Sequence, residues 1–220
     1  MENDEIRKDQ VETLFSTRYI TVYDLHYAAG KHYYDASRRK AEDLAAVKTD
    51  REFREMRPDA VTCAVILKTE GKPDRLLLSY EYRYPAGRFL LSPPAGLIDP
   101  EDGSGEEALL SAARREIREE TGIPVGAEDR VFVISPLLFS TPGMTDESNA
   151  LVCAVVTLPS EEILSQTGGS GSERFDGFVL ADREEAMKLL QDGTDSRGIY
   201  YSVFTWAVLM FFVSGIPGKG

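Results

Sequence analysis

Between Asp99 and Glu120 eight acidic residues stand against three arginines. The stretch Glu107-Ala-Leu-Leu-Ser-Ala-Ala-Arg-Arg-Glu-Ile-Arg-Glu-Glu-Thr-Gly122 carries helical spacing, with Leu109, Ala112, Ala113 and Ile117 on one face. A helix is predicted over residues 106–121, stopped by Gly122. Glu116 precedes Glu119 by three positions and Glu120 by four, so three carboxylates crowd one flank at a spacing that destabilises an isolated helix. A solvated acidic face is the ordinary reading of such a run. Arg115 can orient one of the carboxylates and the alanines allow close packing, which favours a cluster of hard oxygen ligands suited to Mg²⁺ or Mn²⁺.

Other common chemistries lack their residues. Gly-Lys occurs three times but is never followed by the Ser or Thr of a phosphate-binding loop, and there is no Gly-x-Gly-x-x-Gly. Two histidines and two scattered cysteines leave a His/Cys zinc site short of ligands, and no Ser occupies a nucleophile elbow. With 25 Lys and Arg against 37 Asp and Glu the formal charge is −12, a field that repels nucleic acid and anionic membrane surfaces. A small phosphorylated substrate can still be recruited through a divalent cation.

The 220 residues, 42% of them hydrophobic, suit one full domain with an appendage. Residues 19–27 and 32–36 read as a small N-terminal hairpin or sheet, with Tyr19, Tyr23, Leu25 and Tyr27 sharing a face. A charge-rich connector follows, with a weak helical pattern through Leu44, Val47 and Phe53, and Pro58 marks a boundary. The division expected is therefore 1–57 and 58–220. Beyond it, strands are predicted at 60–67, 75–82, 88–92, 131–139, 149–157 and 175–180. Closing helices follow at 182–192 and 200–213, giving a mixed α/β pattern. The Gln166-Thr-Gly-Gly-Ser-Gly-Ser172 loop reads as the most flexible. Cys63 and Cys153 lie in apolar β-branched runs and read as buried reduced thiols. The N-terminus lacks a secretory pattern, and the apolar run at 203–213 is shorter than the ~20 residues that span a bilayer. A cytoplasmic protein without a membrane segment is expected.

Glu107, Arg115, Glu116, Ile117, Glu119, Glu120, Gly122 and Ile123 fall at the spacings of the Nudix box, Gly-x5-Glu-x7-Arg-Glu-U-x-Glu-Glu-x-Gly-U, where U is a bulky aliphatic residue. The segment 96–123 thus resembles that box. The fitting glycine is Gly96, and ten residues rather than five separate it from Glu107. Residues 100–104 read as an insertion in a surface loop, where added length costs little. Glu81-Tyr-Arg83-Tyr-Pro85 and Pro94-Ala-Gly-Leu-Ile-Asp99 resemble a motif pair of ADP-ribose pyrophosphatases, with Glu81 where that subfamily usually has Gln. Thr141-Pro-Gly-Met-Thr-Asp-Glu147 is similar to their loop after the box. The strands ending in Ala36-Ser-Arg38-Arg39 are similar to their small dimerising domain.

The resemblance implies a Nudix fold, an α/β/α sandwich with a mixed sheet, plus a small N-terminal antiparallel sheet. It implies Mg²⁺-dependent hydrolysis of ADP-ribose or a similar nucleoside diphosphate sugar by a homodimer. Hydrolysis of another nucleoside diphosphate derivative and a non-catalytic nucleotide-sensing module are the alternatives. Glu116, Glu119, Glu120 and the Ala95 carbonyl would hold metal, with Arg115 steadying a box carboxylate and Glu107 contributing through that ion pair. Arg83, with Arg38 or Arg39, would meet substrate phosphates, and Tyr33 or Tyr34 would stack on a purine. Glu173 or Glu147 would serve as the base that activates water.

Overall fold

The computed structural model describes residues 6–168 and 172–215. They form two compact units, one comprising Met1–Asp59 with Leu137–Asn149 and the other Ala60–Pro136 with Ala150–Gly220. In the first unit, β1 (Val11–Ser16), β2 (Thr21–Ala28) and β3 (Lys31–Ser37) form an antiparallel sheet in that order. Its small core is Tyr23, Leu25 and Leu44. Tyr19 and Tyr27 depart from the expected shared face. Tyr19 precedes β2, and the irregularity between Leu25 and Ala28 interrupts the alternation before Tyr27, so both rings are exposed. Strand β1 was not legible in the sequence because Leu14 and Phe15 are adjacent rather than alternating, and a bulge lies between Thr13 and Phe15. The connector yields short turns and one brief helix, α1 (Asp50–Arg54), capped reciprocally by Thr49 and Glu52.

The second unit is built on β4 (Ala60–Thr69), β5 (Arg75–Arg83), β6 (Arg88–Ser92) and β7 (Ala95–Leu97), then α2 (Gly105–Thr121). After it come β8 (Arg130–Phe139) and β9 (Ser148–Leu158), of which residues 137–139 and 148–149 count with the first unit, then β10 (Phe175–Ala181), α3 (Arg183–Asp192) and α4 (Val203–Ser214). The sheet runs β10-β5-β4-β9-β8, with β6 paired to β5 and β7 to β4. The first eight residues of β4 are all buried, so both its faces are covered. Val61, Cys63, Val65 and Leu67 share a core with Leu109, Ala112, Ala113 and Ile117 of α2. Helix α4 also packs on β4 and β6, and its Thr205 hydroxyl donates to the Leu91 carbonyl at 2.8 Å. This is the mixed α+β architecture expected. Asp182 and Ser202 cap the two closing helices. Both cysteines are buried free thiols. Among the described residues no helix is long and apolar enough to cross a membrane.

Candidate active site

Helix α2 buries Ala108, Leu109, Ala112, Ala113, Glu116, Ile117, Glu120 and Thr121, pairs recurring every fourth residue. The stripe that begins as alanine therefore ends as glutamate, and the packing that seats the helix on β4 and β7 draws Glu116 and Glu120 out of water. Glu116 and Glu120 keep only 6% and 4% of their surface exposed. Strand β7 permits this approach at Gly96, where any side chain would occupy the space of the Glu116 carboxylate. The next residue back, Ala95, donates its amide to Glu120 Oε1 at 3.4 Å.

Burial dominates the electrostatics. It pushes the Glu120 carboxyl up to about 9, with the charges of Glu81, Glu116 and Glu173 adding to the effect and the Ala95 amide opposing it. Burial also raises Glu116, against the opposing pull of Arg115, while Glu119 and Glu173 push it further up. Glu81 is raised by burial too, opposed by Arg83 and reinforced by Glu173. Five carboxylates, Glu81, Glu116, Glu119, Glu120 and Glu173, thus share one field. Glu81 was the position where the sequence departs from its subfamily pattern, and its effect is to add a buried carboxylate to the cluster. Glu119 is more exposed and lies 3.7 Å from Arg115.

Arg115 joins the helix to the loop before it. Its Nη1 donates to Glu116 Oε1 at 2.6 Å, and its Nη2 donates to the Leu97 carbonyl at 2.8 Å and to Asp102 Oδ2 at 2.9 Å. Asp102 belongs to the loop residues that lengthen the box, which fold as a short turn over Pro100–Asp102. Burial raises the Asp102 carboxyl, but the Arg115 hydrogen bonds and the Asp99 amide outweigh it and hold the group below its usual range. The sequence placed this loop correctly at the surface but carried no sign that it reaches back to Arg115. Glu107 is exposed in the first turn of α2.

Arg83 lies at the end of β5 with its Nη2 2.6 Å from Glu81, its side chain about half exposed. Glu173 is carried alongside by its neighbours. The Tyr84 hydroxyl donates to the Ser172 carbonyl at 3.3 Å, the Tyr82 amide donates to the Arg174 carbonyl at 2.8 Å, and the Arg174 guanidinium covers the Tyr82 ring. At the loop's other end Gly168 presses against the Glu119 backbone, leaving no room for a side chain. The flexible run expected at 166–172 is described at both ends, and its residues 169–171 lie outside the described residues.

The remaining sequence candidates belong to the first unit. Arg39 is 10% exposed and surrounded: Asp59 lies 2.8 Å away, and its guanidinium donates to the Asp146 and Arg57 carbonyls and the Ser148 hydroxyl. Arg38 is half-exposed and pairs through Nε with Glu147 Oε1 at 2.9 Å. Tyr33 and Tyr34 line a cavity of about 410 Å³ with Phe53, Phe139, Pro142 and Met144, and the Tyr33 hydroxyl donates to the Gly143 carbonyl.

The donor set fits a divalent cation. The donors that converge here are carboxylate oxygens, and a carboxyl held neutral near pH 7 chiefly by burial, with its neighbours' charge adding to the effect, is what an added positive charge would ionise. An ADP-ribose pyrophosphatase of Saccharomyces cerevisiae is 34% identical over 131 residues, covering 59% of this chain and 52% of that protein. A putative Nudix hydrolase of Caenorhabditis elegans is 42% identical over 94 residues, covering 43% and 38%. An ADP-sugar pyrophosphatase of Mus musculus is 27% identical over 139 residues, covering 53% and 60%. The matches thus span about half the length of these relatives. A crystal structure of an ADP compounds hydrolase shares the fold, with a TM-score of 0.56 at 21% identity over 96% of this chain and 93% of that one. The NUDIX domain model matches residues 56–202, a stretch that holds all five clustered carboxylates and Arg115, and the chain belongs to the Nudix family.

Proposed function

We propose that the protein hydrolyses the diphosphate bond of ADP-ribose or a similar nucleoside diphosphate sugar, releasing a nucleoside monophosphate and a sugar phosphate. The observation that carries this reading is the convergence of Glu116, Glu120 and Glu81, all buried, beside Arg115 and Arg83. A purely nucleotide-sensing module has no use for so costly a concentration of buried carboxylates. Relatives named for ADP-ribose and ADP-sugar pyrophosphatase activity support the substrate class.

In this reading Glu116, Glu119 and Glu120 hold Mg²⁺ or Mn²⁺, with the Ala95 carbonyl as a further ligand. The cation supplies charge neutralisation for the diphosphate oxygens. Arg115 fixes the rotamer of Glu116, and Asp102 fixes Arg115. Arg83 exchanges part of its Glu81 contact for a substrate phosphate. Glu173 accepts the proton of the attacking water, because its charge is felt by Glu81, Glu116 and Glu120 alike. Glu147 is the less suitable base, its carboxylate being engaged by Arg38. Arg39 is assigned a structural role among Asp59, Asp146 and Ser148, which leaves Arg38 as the phosphate-binding candidate of that pair. Tyr33 and Tyr34 remain the purine-stacking candidates, since both border an apolar, aromatic-lined cavity. A cytoplasmic setting accords with the two free thiols.

The test is a panel of nucleoside diphosphate sugars and other nucleoside diphosphate derivatives, incubated with and without Mg²⁺ and read by phosphate release through a coupled phosphatase. Metal-dependent release from ADP-ribose or a related sugar supports the reading. Binding of the panel without turnover would favour the sensing module.

A further inference from the structure

We propose that the small N-terminal sheet carries a second metal site, specific for a borderline first-row ion such as Zn²⁺ and formed by Asp24, His26 and His32. The chain contains two histidines, and the fold brings both together. Antiparallel pairing sets Glu12 of β1 opposite Asp24 of β2, and His26 lies two residues beyond Asp24 on the same face. His32 enters from β3, its ring centroid 4.6 Å from that of His26. One ligand atom from each of Asp24, His26 and His32 lies within 4.8 Å of the other two.

The distances suit a single ion. Metal–ligand bonds of ~2.0–2.1 Å in a tetrahedral site place ligand atoms ~3.3 Å apart. His26 Nε2 lies 3.4 Å from Asp24 Oδ2 and 3.6 Å from Glu12 Oε2, both near that spacing, while His32 Nδ1 sits closer, hydrogen-bonded to Asp24 Oδ2 at 2.8 Å, a bond that the ion would replace. Small rotations of the two rings complete the geometry, with Glu12 available as a fourth ligand.

Two observations favour a cation at this cluster. The Asp24 side chain is 91% buried, yet its Oδ1 makes no hydrogen bond, and the buried His26 Nε2 makes none either. Such atoms are costly unless satisfied. Glu12 and Asp24 also face each other directly across the ladder, a like-charge arrangement that weakens strand pairing. A divalent cation among them would answer both. Two imidazoles with carboxylates select Zn²⁺ or its neighbours over Mg²⁺, so this site differs in chemistry from the all-oxygen cluster of α2. Because its ligands come from β2 and β3, with β1 beside them, the ion would tie together a sheet whose hydrophobic core, among the described residues, is built on Tyr23, Leu25 and Leu44.

The experiment titrates the chelator-treated full chain with Zn²⁺ in millimolar Mg²⁺, which fills oxygen-only sites, against a chromogenic zinc indicator. One Zn²⁺ per chain is expected, with affinity reduced at least ~10-fold in His26→Gln and in His32→Gln. Glu120→Gln should retain it. The unsubstituted protein provides a check that needs no variant, because its two imidazole proton signals should both shift at one equivalent of Zn²⁺. Failure to retain Zn²⁺, retention equal to the unsubstituted protein in both histidine variants, or imidazole signals that ignore the ion would each overturn the proposal.

Discussion

Asp102 grips Arg115 through both carboxylate oxygens, Oδ2 to Nη2 at 2.9 Å and Oδ1 to Nε at 3.4 Å. The residues that lengthen the Nudix box therefore feed into its central ion pair, since the same guanidinium holds Glu116 at 2.6 Å. Asp102→Asn should leave the fold intact and free Arg115 to settle elsewhere along Glu116 and Glu119. The expected outcome is a ~10-fold or greater rise in the Mg²⁺ concentration needed for half-maximal turnover, with a smaller change in substrate KM. An unchanged metal requirement would reduce the Asp102 contact to surface decoration.

Glu120→Gln tests the metal assignment itself. The substitution keeps the side chain's shape and a carbonyl acceptor for the Ala95 amide, while removing an ionisable group whose charged form burial disfavours without a cation. Thermal stability of the metal-free protein should hold steady or rise, and turnover should vanish. Near-normal turnover by the folded variant, or by the unsubstituted protein in excess chelator, contradicts the assignment.

Much of the candidate cluster was legible because helical spacing alone sets Glu116 and Glu120 in line with Ala112 on the face that packs, with Glu119 at its edge. What stayed hidden was set by tertiary contacts. Asp102 reaches Arg115 because the turn at Pro100–Asp102 folds back, and Glu173 comes beside Glu81 because β10 pairs with β5, setting Phe175 opposite Glu81. Arg38 and Arg39 are adjacent and identical in sequence terms. Burial separates them, one enclosed by Asp59 and Asp146 and the other left with Glu147. For β1, the adjacent Leu14 and Phe15 obscured a period that its pairing with β2 supplies.

Glu173→Gln separates the two candidates for the base. If Glu173 deprotonates the attacking water, kcat should fall by ~10²–10⁴ with metal affinity little changed. Glu147→Gln, which breaks the 2.9 Å pair with Arg38, should mainly raise substrate KM. The reverse pattern would transfer the role to Glu147.

The small sheet leaves Leu14, Phe15, Tyr19, Ile20 and Tyr27 exposed, and a second copy of the chain is the partner expected to cover them. Light scattering at micromolar concentration should give twice the chain mass. Phe15→Asp should shift the protein toward monomer without unfolding it. A fully active monomer in the unsubstituted protein would dismiss the dimer.

The last prediction concerns stability against pH in the first unit. Asp35 is buried, its Oδ1 accepts the Asp146 amide at 3.1 Å, and burial, reinforced by the Asp146 charge, pushes its carboxyl from 3.8 to about 6. A raised carboxyl pKa means that the folded protein holds this proton more tightly than the unfolded chain. The stabilisation from that neutral form is complete below 3.8 and declines as pH rises to about 6, so above 6 the ionised group is a net cost to the fold. Asp35→Asn removes the titration and keeps an oxygen to accept the Asp146 amide. Urea unfolding should therefore find the variant equal to or more stable than the unsubstituted protein at pH 7, with that advantage shrinking toward pH 4. A variant whose relative stability is the same at both pH values would show that Asp35 does not titrate in this window.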